Sequence, residues 1–260
     1  GFSAHSYANS GKKKNLVIIM LRGGMDGLCA IPVKGDKNFE KLRSKINLDR
    51  TLKLTSDFDL HPALKTFKSL WDQNLSAAVH ATNIPYTGRS HFDGQNLMES
   101  GGKIPYQEKT GWLGRGMKTA GLTGQGLALA LPMPLLIRGV PMNNNYFPVG
   151  RSLPYPDTLE IIKQAYKEHD EKLLSDNLEI ILTRDFNNRS RDDAWILASS
   201  AGTELSKPDG PKVAVFEVDG FDTHAAQGAT DGAHADCLSD YDNIVRSVSY
   251  THLRAHETYD

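Results

Sequence analysis

Residues 15–21, NLVIIML, run directly into residues 22–27, RGGMDG, and this stretch decides the fold of the chain. A second stretch repeats its pattern: residues 213–218, VAVFEV, run into residues 219–224, DGFDTH. Short apolar runs rich in β-branched residues are typical of strands buried on both faces, which are common in parallel sheets. The sequence therefore predicts an α/β protein with a mostly parallel central sheet and helices on both faces.

Acidic and imidazole side chains follow both predicted strands. Asp26 comes after the first strand, and Asp222 and His224 come after the second. Ligands of open α/β sheets collect at the carboxyl ends of the strands, and carboxylates with imidazoles bind divalent metal ions. These three residues are candidate metal ligands. Two alternatives stay open: Asp26 as a turn residue or helix N-cap, and Asp222 in an Asx-turn beside a surface histidine.

A serine marks a second candidate position for chemistry. Ser90-x-x-Asp93 fits a capping box at the start of a helix, which explains the serine without any catalytic role. A helix N-terminus also attracts anions, so the Ser90 hydroxyl is placed to meet a phosphate or sulfate. Arg89 and His91 flank it, and guanidinium groups suit oxyanions. Both interpretations are compatible.

The remaining pattern alternates strands with helices. Leu75–Ala81 and Leu127–Leu136 are predicted strands, and His61 and His80 are interpreted as structural. Predicted helices follow Pro62 and Ser90, span Gly111–Ala120 and Gly232–Val245, and occupy much of the region from Asp157 to Leu205.

Composition narrows the functional classes. The chain has 260 residues and a formal net charge of -1, which argues against nucleic acid as the main partner. The longest apolar stretch, Leu127–Ile137, is too short to cross a membrane, for which about 20 residues are needed. Cys29 and Cys237 form no metal-binding motif; Cys29 is predicted to be buried, and a disulfide between them is the alternative.

Both ends of the chain are predicted to lie outside the domain. Residues 1–13 read as residual signal or linker sequence, and residues 6–8, Ser-Tyr-Ala, suit a signal-peptidase site. Residues 248–258 resemble an in-frame translated sequencing adapter, so residues 247–260 are predicted to be non-native. The expected domain is residues 14–246, and the natural protein is expected to continue beyond it.

Six short motifs occur in a fixed order along the chain. They are residues 21–28 LRGGMDGL, 60–64 LHPAL, 79–81 VHA, 89–93 RSHFD, 111–115 GWLGR and 220–224 GFDTH. Together they resemble one family, the bacterial domain-of-unknown-function family 1501. The resemblance implies export by the twin-arginine route to the periplasm or cell envelope, and an alkaline phosphatase- and sulfatase-like fold truncated at its C-terminus.

The resemblance also implies roles for individual residues. Asp26 would hold one divalent ion, Asp222 and His224 would hold another, and Ser90 would be the nucleophile. Further ligands would lie nearer the natural C-terminus. The Asp-x-His spacing is shorter than the Asp-to-His spacing of alkaline phosphatases, so the pairing of ligands with ions stays open.

The expected function is metal-dependent hydrolysis of phosphate or sulfate esters of small molecules or glycans. Two divalent ions (zinc, calcium, magnesium or manganese) about 4 Å apart would clamp the substrate. Arg89 or Arg22 would balance charge on the transferred group, with His91 beside it. The alternative is a non-catalytic envelope protein that keeps the fold for binding or assembly.

Overall fold

The structure is a computed structural model that describes residues 14–46, 48–129, 133–145, 156–168, 172, 174–176, 178 and 194–254. The chain divides into two compact units, one formed by residues 1–146 and 195–260 and a smaller one by residues 147–194. The predicted leader, residues 1–13, lies outside the described residues, as do residues 255–260 of the predicted tail.

Six strands and eight α-helices are described. The strands are β1 (Leu16–Leu21), β2 (Leu52–Lys53), β3 (Asp59–Leu60), β4 (Gly126–Leu129), β5 (Asn144–Asn145) and β6 (Val213–Val218). The helices are α1 (Gly27–Ala30), α2 (Lys37–Leu42), α3 (Lys65–Asp72), α4 (His91–Ser100), α5 (Trp112–Thr119), α6 (Pro156–Glu168), α7 (Ala194–Ser206) and α8 (Ala233–Arg254), with a 3₁₀ turn at Leu135–Ile137. Within these ranges, no helix combines the length and apolar character needed to cross a membrane.

The central sheet has the order β1-β6-β4-β5, and each neighbouring pair is parallel. Leu16 lies opposite Val213 and Leu21 opposite Val218, so β1 and β6 end at the same edge. A separate antiparallel pair joins β2 and β3. The α/β class is therefore confirmed, and so is the parallel pairing of the two strands that precede Asp26 and Asp222.

Burial differs between the two diagnostic strands. In β6, five of six residues are buried, as expected of a strand with a neighbour on each side. In β1 only Met20 is buried, because β1 comes first in the sheet order and, among the described strands, pairs only with β6. The predicted burial on both faces is therefore correct for β6, whereas it is too high for β1.

Close glycine packing anchors the start of α5. A Cβ atom at Gly114 would lie 2.8 Å from the carbonyl carbon of Arg138, and the Gly111 amide donates to the Arg138 carbonyl at 3.0 Å. The absence of side chains lets α5 lie directly on the segment that follows the 3₁₀ turn. The Glu99 carboxylate at the end of α4 accepts a 2.9 Å hydrogen bond from the Leu136 amide of the same turn. This packing holds α4 in place.

The structure differs from the sequence prediction at one strand and at one helix end. Leu75–Ala81 was expected to be a strand, but this prediction is wrong: residues 75–80 have no regular structure, and Val79 is 81% exposed. The last helix, α8, extends beyond the predicted Val245 to Arg254. It includes residues 247–254, whose non-native origin stays a prediction.

Candidate metal centre

The loops that follow β1 and β6 interlock at the carboxyl edge of the sheet. The Arg22 amide donates to the Val218 carbonyl at 2.8 Å, and the Phe221 amide donates to the Arg22 carbonyl at 3.2 Å. Gly23 has φ +107, and a Cβ atom there would lie 2.8 Å from the Cβ of Asp222 and collide with its amide nitrogen. Glycine is required at this position because both the backbone angle and the space exclude a side chain. The loops after β1 and β6 therefore contact each other at this edge of the sheet.

Three potential metal ligands meet beside these loops: His91, Asp222 and His224, hereafter the His-Asp-His cluster. His91 Nδ1 lies 3.6 Å from Asp222 Oδ1, and His224 Nε2 lies 2.9 Å from the same oxygen. One donor atom from each residue lies within 4.8 Å of the other two. The sequence placed Asp222 and His224 in a metal site but assigned His91 to substrate binding; the structure brings all three together.

Different elements position the three side chains. His91 is the first residue of α4, whose N-cap Ser90 accepts a 3.2 Å hydrogen bond from the Asp93 amide. Gly101, in a left-handed conformation with φ 67, ends the helix. His224 has φ 24, an uncommon backbone angle for a residue with a side chain. The cluster thus combines a helix start with a constrained loop.

The donor set fits a divalent ion. Zinc binds histidine nitrogen and carboxylate oxygen at about 2.0–2.2 Å, so two ligands of a tetrahedral ion lie about 3.4 Å apart. The His91–Asp222 separation of 3.6 Å is close to this value, whereas the 2.9 Å between His224 and Asp222 is a hydrogen-bond distance. A small outward shift of exposed His224 would accommodate an ion with open coordination positions. Three ligands of this chemistry are typical of catalytic zinc sites.

Asp26 lies at the same edge but is engaged by other groups. Its carboxylate caps α1 by accepting from the Cys29 amide at 3.2 Å, accepts from Gln227 Nε2 at 2.9 Å, and forms an ion pair with Arg43. Burial opposes ionisation, but the hydrogen bonds from Arg43 and Gln227 outweigh it and hold the pKa of Asp26 below its ordinary value. The N-cap alternative is therefore what the geometry shows. Metal ligation by Asp26 would require displacing Arg43 and stays a prediction.

Arg22 is also held by protein groups. Its guanidinium forms ion pairs with Glu99 of α4 and Glu217 of β6, and all three side chains are largely buried. Burial works against the charge, but the two glutamates raise the pKa of Arg22 above its ordinary value. Burial raises the pKa of Glu217 despite the opposing effect of Arg22. Arg22 thereby connects α4 to the sheet edge, a positioning role not anticipated by the substrate-binding prediction.

Ser90 and Arg89 precede the cluster ligand His91 at the start of α4. Ser90 is half-buried, and its Oγ accepts the capping hydrogen bond from the Asp93 amide. Arg89 is exposed. Tyr86 donates to Asp93 Oδ2 at 3.1 Å on the same helix turn. Capping by Ser90 is confirmed, and its catalytic role stays a prediction.

Two buried histidines, His61 and His234, lie close to the loop that carries Asp222 and His224. His61 donates from Nε2 to the Ala229 carbonyl at 2.9 Å and accepts from the Ala63 amide at Nδ1, which agrees with its structural interpretation. His234, 1% exposed, packs against His61 and Phe221 with ring centroids 6.3 and 5.6 Å away. Neither ring nitrogen of His234 has a hydrogen-bond partner among the described residues. Burial lowers the pKa of His234 from its ordinary 6.5.

We expect His234 to make the folded state sensitive to acid. Below pH 6.5 His234 becomes protonated in the unfolded state but stays neutral in the folded state. The free energy of unfolding therefore decreases as the pH falls, until the folded-state pKa of His234 is reached. Each tenfold decrease in the proton affinity of His234 on folding corresponds to about 1.4 kcal/mol in the free energy of unfolding. In urea unfolding from pH 7.5 to 5, His234→Phe should remove this part of the pH dependence. Phe221→Leu is the control, because it disturbs the same ring contact but keeps the imidazole. Parallel pH profiles for wild type and His234→Phe would contradict this account.

Comparison with known proteins finds no matching family model, curated protein or solved structure. Membership of family 1501 therefore stays a prediction from the six motifs, and function is inferred here from residues and geometry.

Proposed function

We propose that this protein is a metal-dependent hydrolase of phosphate or sulfate esters in which Ser90 is the nucleophile. The observation that carries the proposal is the contiguity of Ser90 with the His-Asp-His cluster: His91, the residue after Ser90, lies 3.6 Å from Asp222. A nucleophile beside a three-ligand metal site is one arrangement that supports metal-dependent hydrolysis of esters. The parallel sheet and the six motifs support an alkaline phosphatase-like fold with helices on both faces, in an exported bacterial protein.

One ion at the cluster is the simplest form of this proposal. A second ion at Asp26, as the family resemblance implies, would have to displace Arg43 and Gln227 from the carboxylate. His91, Asp222 and His224 would hold a divalent ion, zinc being the best match to two imidazoles and one carboxylate. When bound, this ion would supply positive charge for the substrate oxyanion and lower the pKa of a nearby hydroxyl or water.

The residues of the chain supply the other steps. Ser90 Oγ forms a bond to phosphorus or sulfur as the bond to the ester oxygen breaks, and the Ser90 proton ends on the departing alcohol. Water then releases phosphate or sulfate and restores the serine. Arg89, exposed beside Ser90, offers donors to the oxygens of the transferred group. The capping bond from Asp93 keeps Ser90 oriented at the start of α4.

Replacement of Ser90 tests the proposal, provided that capping is separated from catalysis. Ser90→Ala removes both the nucleophile and the cap, and loss of a cap costs about 0.5–2 kcal/mol. Ser90→Asn keeps a capping acceptor but has no hydroxyl. Both variants should retain zinc at the wild-type level and lose turnover of aryl phosphate and aryl sulfate by more than about 1000-fold, the scale on which removal of a catalytic nucleophile acts. Wild-type turnover by Ser90→Asn would show that Ser90 is only a cap.

The competing function is a metal-binding envelope protein without catalysis. Exposure of the cluster favours it: the side chains of Asp222 and His224 are 40% and 80% exposed, so the site is open to solvent. The described cavities of about 490 and 610 Å³ are lined by other residues. A wild-type protein that binds zinc at the cluster and hydrolyses neither phosphate nor sulfate esters would establish this alternative.

A further inference from the structure

An exposed aromatic ring adjoins the candidate metal centre. Phe92 is 65% exposed on the first turn of α4, and its ring centroid lies 4.0 Å from that of His91 at an interplanar angle of 39°. The same His91 lies 3.6 Å from Asp222. Phe92 therefore presents an uncovered apolar surface directly beside a cluster ligand and two residues from Ser90.

The position of this ring separates it from other exposed apolar side chains. Exposed apolar residues are common at protein surfaces and carry no meaning singly. Met98 on the same helix is also 41% exposed, but it lies near the opposite end of α4. Tyr86 bonds to Asp93 on the same turn as Phe92, so the start of α4 has a second aromatic side chain. An apolar ring next to metal ligands and a nucleophile is where the organic part of an ester would extend.

We propose that Phe92 is a specificity-determining residue that receives the aryl group of an aryl phosphate or aryl sulfate. This inference rests on the proposed function and names its substrate class. Aromatic rings prefer offset or edge-to-face contact with other rings, and such contacts favour an aryl over an alkyl group beyond simple burial. The oxyanion would face the cluster and Arg89 while the ring of the leaving phenol packs on Phe92.

Binding of non-hydrolysable analogues to the zinc-loaded full chain tests this inference separately from catalysis. Phenylphosphonate and methylphosphonate share the oxyanion and differ in the organic group. Calorimetric titration should show phenylphosphonate binding about 3- to 10-fold more tightly to the wild type. Phe92→Ala should abolish this difference, Phe92→Tyr should keep it, and Met98→Ala should leave it unchanged. Because Phe92 and Met98 are exposed, these variants should fold normally.

The outcomes distinguish this inference from the proposed function. Equal binding of the two phosphonates by the wild type, or a phenyl preference that survives in Phe92→Ala, would overturn the role of Phe92 alone. If neither phosphonate binds the zinc-loaded protein, both claims are overturned. A Phe92-dependent phenyl preference in a protein that hydrolyses no ester would support the aryl site while refuting the hydrolase.

Discussion

Replacement of Arg22 by methionine should lower the free energy of unfolding by about 3–5 kcal/mol, the cost of breaking a buried ion pair. The guanidinium pairs with Glu99 and Glu217, whose side chains are only 5% and 18% exposed, so both carboxylates would lose their partner. Burial already raises the pKa of Glu217, and without Arg22 proton uptake there becomes easier. The difference between variant and wild type should therefore shrink from pH 8 to pH 5. Urea unfolding at several pH values measures both effects.

Arg50 provides the matched control for Arg22. It also pairs with two carboxylates, Asp49 and Asp231, but its side chain is 63% exposed. Because surface ion pairs contribute about 0–1 kcal/mol, Arg50→Met should have a small effect. Equal losses in the free energy of unfolding for the two variants would show that the ion pairs of Arg22 have no special role in holding α4 against the sheet.

Replacement of Gly23 by alanine should disrupt the candidate metal centre more than any other substitution that adds a single methyl group nearby. Gly23 has φ +107, and a new Cβ would collide with the amide nitrogen of Asp222. The loop after β6 would have to move and take Asp222 and His224 with it. Loss of groups that orient metal ligands typically weakens metal affinity by about 10- to 100-fold, and we expect a loss of that size for zinc.

The neighbouring glycine separates collision from backbone strain. Gly24 also has a positive φ, +94, but a Cβ there would meet nothing within 4 Å. Gly24→Ala should be destabilised by its backbone angle yet bind zinc nearly as well as the wild type. If both variants lost zinc affinity equally, contact between the β1 loop and Asp222 would not be what sets the site.

The fold was predictable from the sequence where a local pattern determines the structure. The two apolar runs predicted β1 and β6, and Ser90 marked the start of α4. The apolar run at Leu75–Ala81 led to a wrong strand prediction, because an apolar pattern does not show whether a segment pairs with the strands of a sheet. Leu75 is instead 62% exposed in a loop.

The site was less predictable because its contacts are distant in sequence. Asp26 is held by Arg43 and Gln227, the latter 201 residues away, and no local motif announces either partner. His91 was recognised as a residue near an anion, but its approach to Asp222 depends on how α4 packs on the sheet edge. The buried imidazole of His234, which has no hydrogen-bond partner within the described part of the chain, likewise follows from tertiary packing.

A metal centre at the His-Asp-His cluster can be tested by zinc titration of the wild type and two aspartate variants, in competition with a chromophoric chelator. Asp222→Asn removes a cluster ligand with little change of shape, whereas Asp231→Asn alters an 84% exposed aspartate farther along the same loop. We expect one zinc ion per wild-type chain, unchanged binding by Asp231→Asn, and at least about tenfold weaker binding by Asp222→Asn. Equal affinity of all three proteins, or no zinc bound by the wild type, would contradict a metal centre at His91, Asp222 and His224.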